Sequence, residues 1–122
     1  MAIRVIKAAA PAWFKPASQK GSDDPAEFKV EGLTGSGQAQ VATEVSITQS
    51  GDLTFSAKGI ELLFRLGLRD WRGVVDEHDN PVEFAGKTPH EIQNLLHYND
   101  QIAIASEIFS RSFLAMDDKK KS

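Results

Sequence analysis

The sequence contains no cysteine, which removes disulfides, thiolate nucleophiles and cysteine-based zinc or iron–sulfur sites in one step. Three histidines are all the imidazole there is. No long apolar run occurs either. The best, Ala8 to Phe14, is interrupted by Pro11 and stopped by Lys15 and Pro16, too short and broken for a signal core or a membrane span. An excess of positive charge is missing too. With 14 basic and 17 acidic residues the net charge is −3, opposite to what a general nucleic-acid binder needs. What remains, 122 residues with 41% apolar and 25% charged side chains, suits one globular domain with an ordinary core. The expected location is the cytosol.

Charge is unevenly spread. Residues 1–20 carry Arg4, Lys7, Lys15 and Lys20 and no acid, so the remaining 102 residues hold 10 basic and 17 acidic groups. Pro11, Pro16 and Pro25 forbid a continuous helix at the start, so residues 1–25 are read as an extended arm with at most a short strand near Ile3–Ile6. Trp13-Phe14 in that arm either tucks back onto the domain or docks on a partner. The globular domain is assigned to residues 26–116, and 117–122 to a solvated charged tail.

Within the domain, Glu27-Phe28-Lys29-Val30-Glu31 alternates as a half-buried strand does. Gln38–Ile47 is ambiguous: the pattern leans to a helix over Gly37–Val45, with a strand close behind. Ser50-Gly51-Asp52 reads as a turn. Ser56 is a helix N-cap, Ile60, Leu63 and Phe64 form an apolar face, and Gly67 stands where a left-handed C-cap belongs. An aromatic-centred corner follows around Trp71, then a turn at Asp79-Asn80-Pro81 and a short extended piece, Val82-Glu83-Phe84. Thr88-Pro89-His90-Glu91 combines a threonine cap, an N1 proline and a reciprocating glutamate, and Ile92, Leu95 and Leu96 make that helix's buried face. Asn99 caps the last helix, whose apolar stripe runs through Ile102, Ala105, Ile108, Phe109, Ser112 and Phe113. The fold expected is mainly α: a small helical domain with a minor β element near 26–31 and 82–84, α+β being the alternative.

The motif fragments do not add up to a catalyst. Gly86-Lys87-Thr88 ends like a phosphate-binding loop, but the glycine needed five positions earlier is Pro81, and Glu83 would repel phosphate. A calcium loop begun at Asp76 would place Pro81 and Lys87 where glycine and glutamate belong. His90-Glu91 lacks the second zinc histidine, which would be residue 94 and is Asn94; His90 and His97, seven apart, could share a face. Hence no catalytic residue, no metal ligand and no cofactor is assigned, and the chain is expected not to be an enzyme. Surface apolar material stands out instead. Ile104 falls off the main stripe of the last helix, and Phe109, Phe113, Leu114 and Met116 crowd its end. Either this helix is buried on two sides, or these residues form a patch for a partner's amphipathic helix.

The order of several segments resembles the tail assembly chaperones of long-tailed bacteriophages. The segments are Asp24-Pro25-Ala26-Glu27-Phe28, Leu33-Thr34-Gly35, Gly67-Leu68-Arg69-Asp70-Trp71-Arg72-Gly73-Val74-Val75-Asp76 and Pro81-Val82-Glu83-Phe84, followed by a short helix and a final one. The resemblance spans about residues 23–122. It implies a non-enzymatic factor that acts in the host cytoplasm during virion assembly and is absent from the mature virion. Such a factor keeps the helical tape measure protein soluble and helps recruit the major tail protein around it. Self-association is implied, with no nucleic-acid or membrane partner. The family is often made in two lengths by ribosomal frameshifting; Lys119-Lys120-Lys121 fits an A-rich slippery run and fits a solubilising tail equally well. Phe64, Leu68, Trp71 and Phe84 are expected to pack the core rather than to touch a partner. A structural tail or connector subunit retained in the virion is the alternative.

Overall fold

The computed structural model describes the backbone of residues 10–121 and the side chains through Ser112. The strand expected near Ile3–Ile6 lies outside them. Five strands and four α-helices follow one another, with a 3-10 turn over Ala17–Gln19: β1 (Ala12–Phe14), β2 (Glu27–Val30), α1 (Gly35–Ala42), β3 (Val45–Ile47), β4 (Leu53–Phe55), α2 (Ala57–Gly67), β5 (Leu68–Arg72), α3 (Pro89–Leu95) and α4 (Tyr98–Lys121). β1, β2 and β5 form an antiparallel sheet with β2 in the middle, and β3 and β4 form a separate hairpin.

The fold is therefore α+β, which corrects the mainly α expectation in favour of its alternative. The reason is length. Three-residue strands are too short to display a period, Leu68–Arg72 does not alternate, and the sheet joins residues 12–14, 27–30 and 68–72, far apart in the chain. Residues 12–14 belong to the stretch expected to be an extended arm; they are its edge strand. The ambiguous stretch contains both candidates in turn: helix over Gly35–Ala42, then strand over Val45–Ile47. The hairpin's second strand, Leu53–Phe55, had no sequence signal beyond the turn at Ser50-Gly51-Asp52.

The sheet alternates as its residues require. Phe28 and Val30 face inward opposite Trp71 and Leu68, while Lys29 stands between Trp13 and Asp70 on the outer face. There Arg72 lies 4.0 Å above the Trp13 ring and pairs with Glu27 at 3.2 Å, so Trp13 is held by the chain itself. Phe14 packs on the core from the other face.

α2 is the hub. Ser56 caps it, its side chain accepting a bond from Gly59 N, and Ile60, Leu63 and Phe64 are all but fully buried. Each such side chain contributes about 1.5–3 kcal/mol by leaving water. Against them pack Val41 of α1, Ile92 of α3, and Ile104, Ala105 and Ile108 of α4. The helix then runs into β5 without a loop, Leu68 already being extended at φ −95° and ψ 121°. Gly67 is thus no left-handed cap. Its smallness serves another end: a Cβ there would stand 2.5 Å from Ile108 Cγ2 and 2.9 Å from the Glu31 carbonyl oxygen.

α3 carries the expected capping box, with Thr88 Oγ1 accepting from Glu91 N and the Glu91 carboxylate accepting from Thr88 N. Of its expected buried face, Ile92 is buried and Leu96 half-buried, but Leu95 is 53% exposed, because a two-turn helix lying on α2 covers only one side. α4 starts at Tyr98, ahead of the expected Asn99 cap, with Gln101 N donating to the His97 carbonyl.

Gly67→Ala is expected to lower stability by about 1–3 kcal/mol through overpacking. In a denaturant series the double variant Gly67→Ala with Ile108→Ala should cost less than the two single changes summed, since the second removes the side-chain atoms that the new methyl meets and leaves only the Glu31 carbonyl contact.

Candidate partner-binding surface

The Trp71 corner builds the surface. Trp71 on β5 is buried, meets Phe28 edge-on at 6.2 Å and Phe84 at 5.3 Å, and donates from its indole nitrogen to the Val82 carbonyl at 2.7 Å. That bond ties the returning segment to β5; Val82 N donates back to Val74 O, and Val75 makes an isolated bridge to Pro81, so the β element expected near 82–84 is a bridged extended segment and not a strand. Gly73 allows the chain to turn there. It has φ +75°, and a Cβ would lie 2.7 Å from the Pro25 carbonyl oxygen.

The tip of this hairpin is an Asx-type turn. The Asp76 carboxylate accepts from the backbone N–H of His78 at 2.8 Å and of Asn80 at 3.0 Å, and Asp79 takes a positive φ of 62°. These bonds, that from Asn80 foremost, hold the Asp76 carboxyl below the usual carboxylate range. The acidic run thus serves as a turn.

Beside the corner lies a cleft of about 280 Å³. Its floor is apolar, from Pro16, Phe28 and Leu96, and Val74 and Val75 form one wall. The junction of α3 and α4 forms the other, with Leu95, His97 and Asp100. Ser18 Oγ donates to Asp100 Oδ1 at 2.6 Å, and Gln19 Oε1 accepts from Ala26 N at 3.0 Å, so the 3-10 turn closes one end. Four large apolar side chains are conspicuously exposed among the described residues: Ile47, Val75, Leu95 and Tyr98. Val75 and Leu95 stand at this cleft, and Tyr98 follows His97 on its wall. Ile47 is on the separate hairpin.

Of the residues singled out for a partner, the described side chains are those of Ile104 and Phe109. Ile104 is 0% exposed and sits in the core, which corrects its assignment to a partner-binding face. The buried stripe of α4 runs Gln101, Ile104, Ala105, Ile108 and Ser112, rotated away from Ile102. Two polar side chains fix that rotation. Ser112 Oγ accepts from Leu33 N at 2.7 Å, and Gln101 Nε2 donates to the Gln93 and Leu96 carbonyls at 2.9 Å, satisfying the end of α3. Phe109 is half-buried, with its ring 6.1 Å from that of Phe55. The side chains of Phe113, Leu114 and Met116 lie outside the described residues. Phe64, Leu68 and Trp71 are buried, and Phe84 packs on them partly covered.

The histidines are not brought together. His90 lies with Lys58, Glu61 and Gln93 in an open groove between α2 and α3, whereas His97 lines the cleft. Among the described residues no three His, Asp or Glu side chains converge as a metal site would need. Gly86-Lys87-Thr88 is a turn leading into the α3 cap. Sequence reasoning missed Val75, Leu95 and Tyr98, since nothing in a local pattern distinguishes an exposed leucine at a helix end from a buried one.

No protein-family model, no curated protein and no solved structure matches the chain.

Trp71→Ala should cost about 3–5 kcal/mol of stability, and Trp71→Phe, which keeps a ring and loses the bond to Val82, about 1 kcal/mol; thermal melts of both check this. The Asp76 turn has a defined pH sense. Its carboxyl is lowered on folding, so its contribution is present above the usual carboxylate range and fades as pH falls through the lowered value. A titration of the Asp76 carboxyl carbon by NMR should have its midpoint below that range, and Asp76→Ala should destabilise at neutral pH but lose its effect in acid.

Proposed function

We propose that the chain is a non-enzymatic assembly chaperone of the kind used by long-tailed bacteriophages. In this role it binds the tape measure protein in the host cytoplasm, keeps it soluble and helps recruit the major tail protein, and it leaves the finished particle. The observation that carries the reading is the corner motif, Gly67 to Asp76 with Pro81 to Phe84, whose residues form one interlocked unit. Trp71 is its pivot, and its outer wall presents Val75 to solvent. The exposure of Val75 and Leu95 in the lining of the cleft, with Tyr98 next along the chain, supports a role in holding another chain. Coating a long helix calls for several copies, so self-association belongs to the proposal.

The test is co-expression with a long helical fragment of a tape measure protein. The expected outcome is that the fragment stays soluble and co-purifies with several copies of this chain. A fragment that aggregates as it does alone, with this chain detected by mass spectrometry in purified virions, would replace the proposal by the alternative of a structural tail or connector subunit.

A further inference from the structure

The chain segments that supply the cleft lining are rich in carboxylates, and Asp100 itself lines the cleft. The segments that form it, 16–28, 73–80 and 95–100, hold seven carboxylates and one lysine, Lys20, although the whole chain is only at −3. Glu27 is engaged by Arg72. Six remain. Asp23 and Asp24 lie on the connection between Gln19 and Ala26, both of which line the cleft; Asp76, Glu77 and Asp79 follow Val75 directly; and Asp100 is in the wall. The Ser18 and backbone bonds to Asp100 and Asp76 are made to the charged carboxylates, so they leave the negative field in place.

A cleft of this size, with Phe28, Val75 and Leu95 in its lining, takes one bulky side chain, and the carboxylates beside it select what flanks that side chain. We infer that the cleft is a docking site for a lysine- and arginine-rich segment of a partner protein, which seats one large apolar residue between Val75 and Leu95. The inference rests on the proposed assembly role for the partner's identity; the chemistry of the surface stands by itself. The basic groups meet Asp100 and the Asp76–Asp79 turn at the rim. There they act mainly on the rate and selectivity of encounter, while the anchor decides how long the complex lasts.

The probe is a synthetic amphipathic helix with one phenylalanine on its apolar face and lysines flanking it, added to the full chain labelled for NMR. Resonances of Val74, Val75 and Leu95 to Asp100 should shift, and affinity should fall about tenfold between low salt and about 0.3 M. A matched peptide with glutamates for the lysines should not bind. Leu95→Glu should weaken binding by about tenfold or more, while Ile47→Glu, more exposed but on the hairpin, should leave it unchanged. Equal binding of the two peptides, or shifts centred away from these residues, would overturn the inference. So would conversion of an oligomer to monomers by Leu95→Glu alone, because a second copy would then be the occupant. Tape measure solubility that Leu95→Glu does not affect sinks the inference and spares the assembly role; peptide binding at the cleft without rescue of the tape measure fragment does the reverse.

Discussion

The close contact at Gly67 is the constraint on which the rest depends. α2 and β5 form one continuous piece of chain, and the point where helix becomes strand is pressed between Ile108 of α4 and the backbone after β2. Glu31 N donates to Gly67 O at 2.9 Å, so the same residue joins the sheet by a hydrogen bond and the helix layer by contact. With no loop to absorb error, the direction of β5 follows from the packing of α2. The place of Trp71 and the corner beyond it follows in turn.

From that corner the cleft is a consequence of closure. The indole of Trp71 needs an acceptor when buried, and the Val82 carbonyl supplies it by bringing the returning segment alongside. This leaves Val75 on the outside of the turn, while α3, too short to cover its own last turn, leaves Leu95 exposed opposite. Two unrelated local limits thus meet at one apolar opening. The connections that bound it are rich in aspartate for turn-making reasons, as the Asp76 bonds show, and the negative field around it comes from those same residues.

Function is therefore sought at the edges of the fold. The core, from Phe28 to Ile108, is occupied with holding the sheet, the hairpin and the helices together. Ile104 belongs to that work. An assembly factor that holds a partner chain reversibly needs apolar groups outside the core, in numbers small enough to leave it soluble by itself. Val75, Leu95 and Tyr98 with surrounding carboxylates fit that need.

Local chemistry by itself determined several elements. The caps at Ser56 and Thr88, the amphipathic face of α2, the alternation of β2 and the turn at Gly51 were all legible, because each depends on neighbours within a few residues; the turn expected at Asp79-Asn80-Pro81 closes slightly earlier, with Asp79 N donating to Asp76 O. So were the absence of cysteine chemistry and the motif fragments that lack a required residue. The balance of helix and sheet was decided only by tertiary structure. Three-residue strands become strands when distant partners supply their hydrogen bonds, as Ala12–Phe14 and Leu53–Phe55 do. The rotation of α4 was decided in the same way. Ile102 and Ile104 are equally apolar, and the choice between them was made by Ser112 and Gln101, whose polar atoms had to reach Leu33, Gln93 and Leu96 when buried. The cleft was decided there too, since its walls come from three separated segments whose meeting no local pattern encodes.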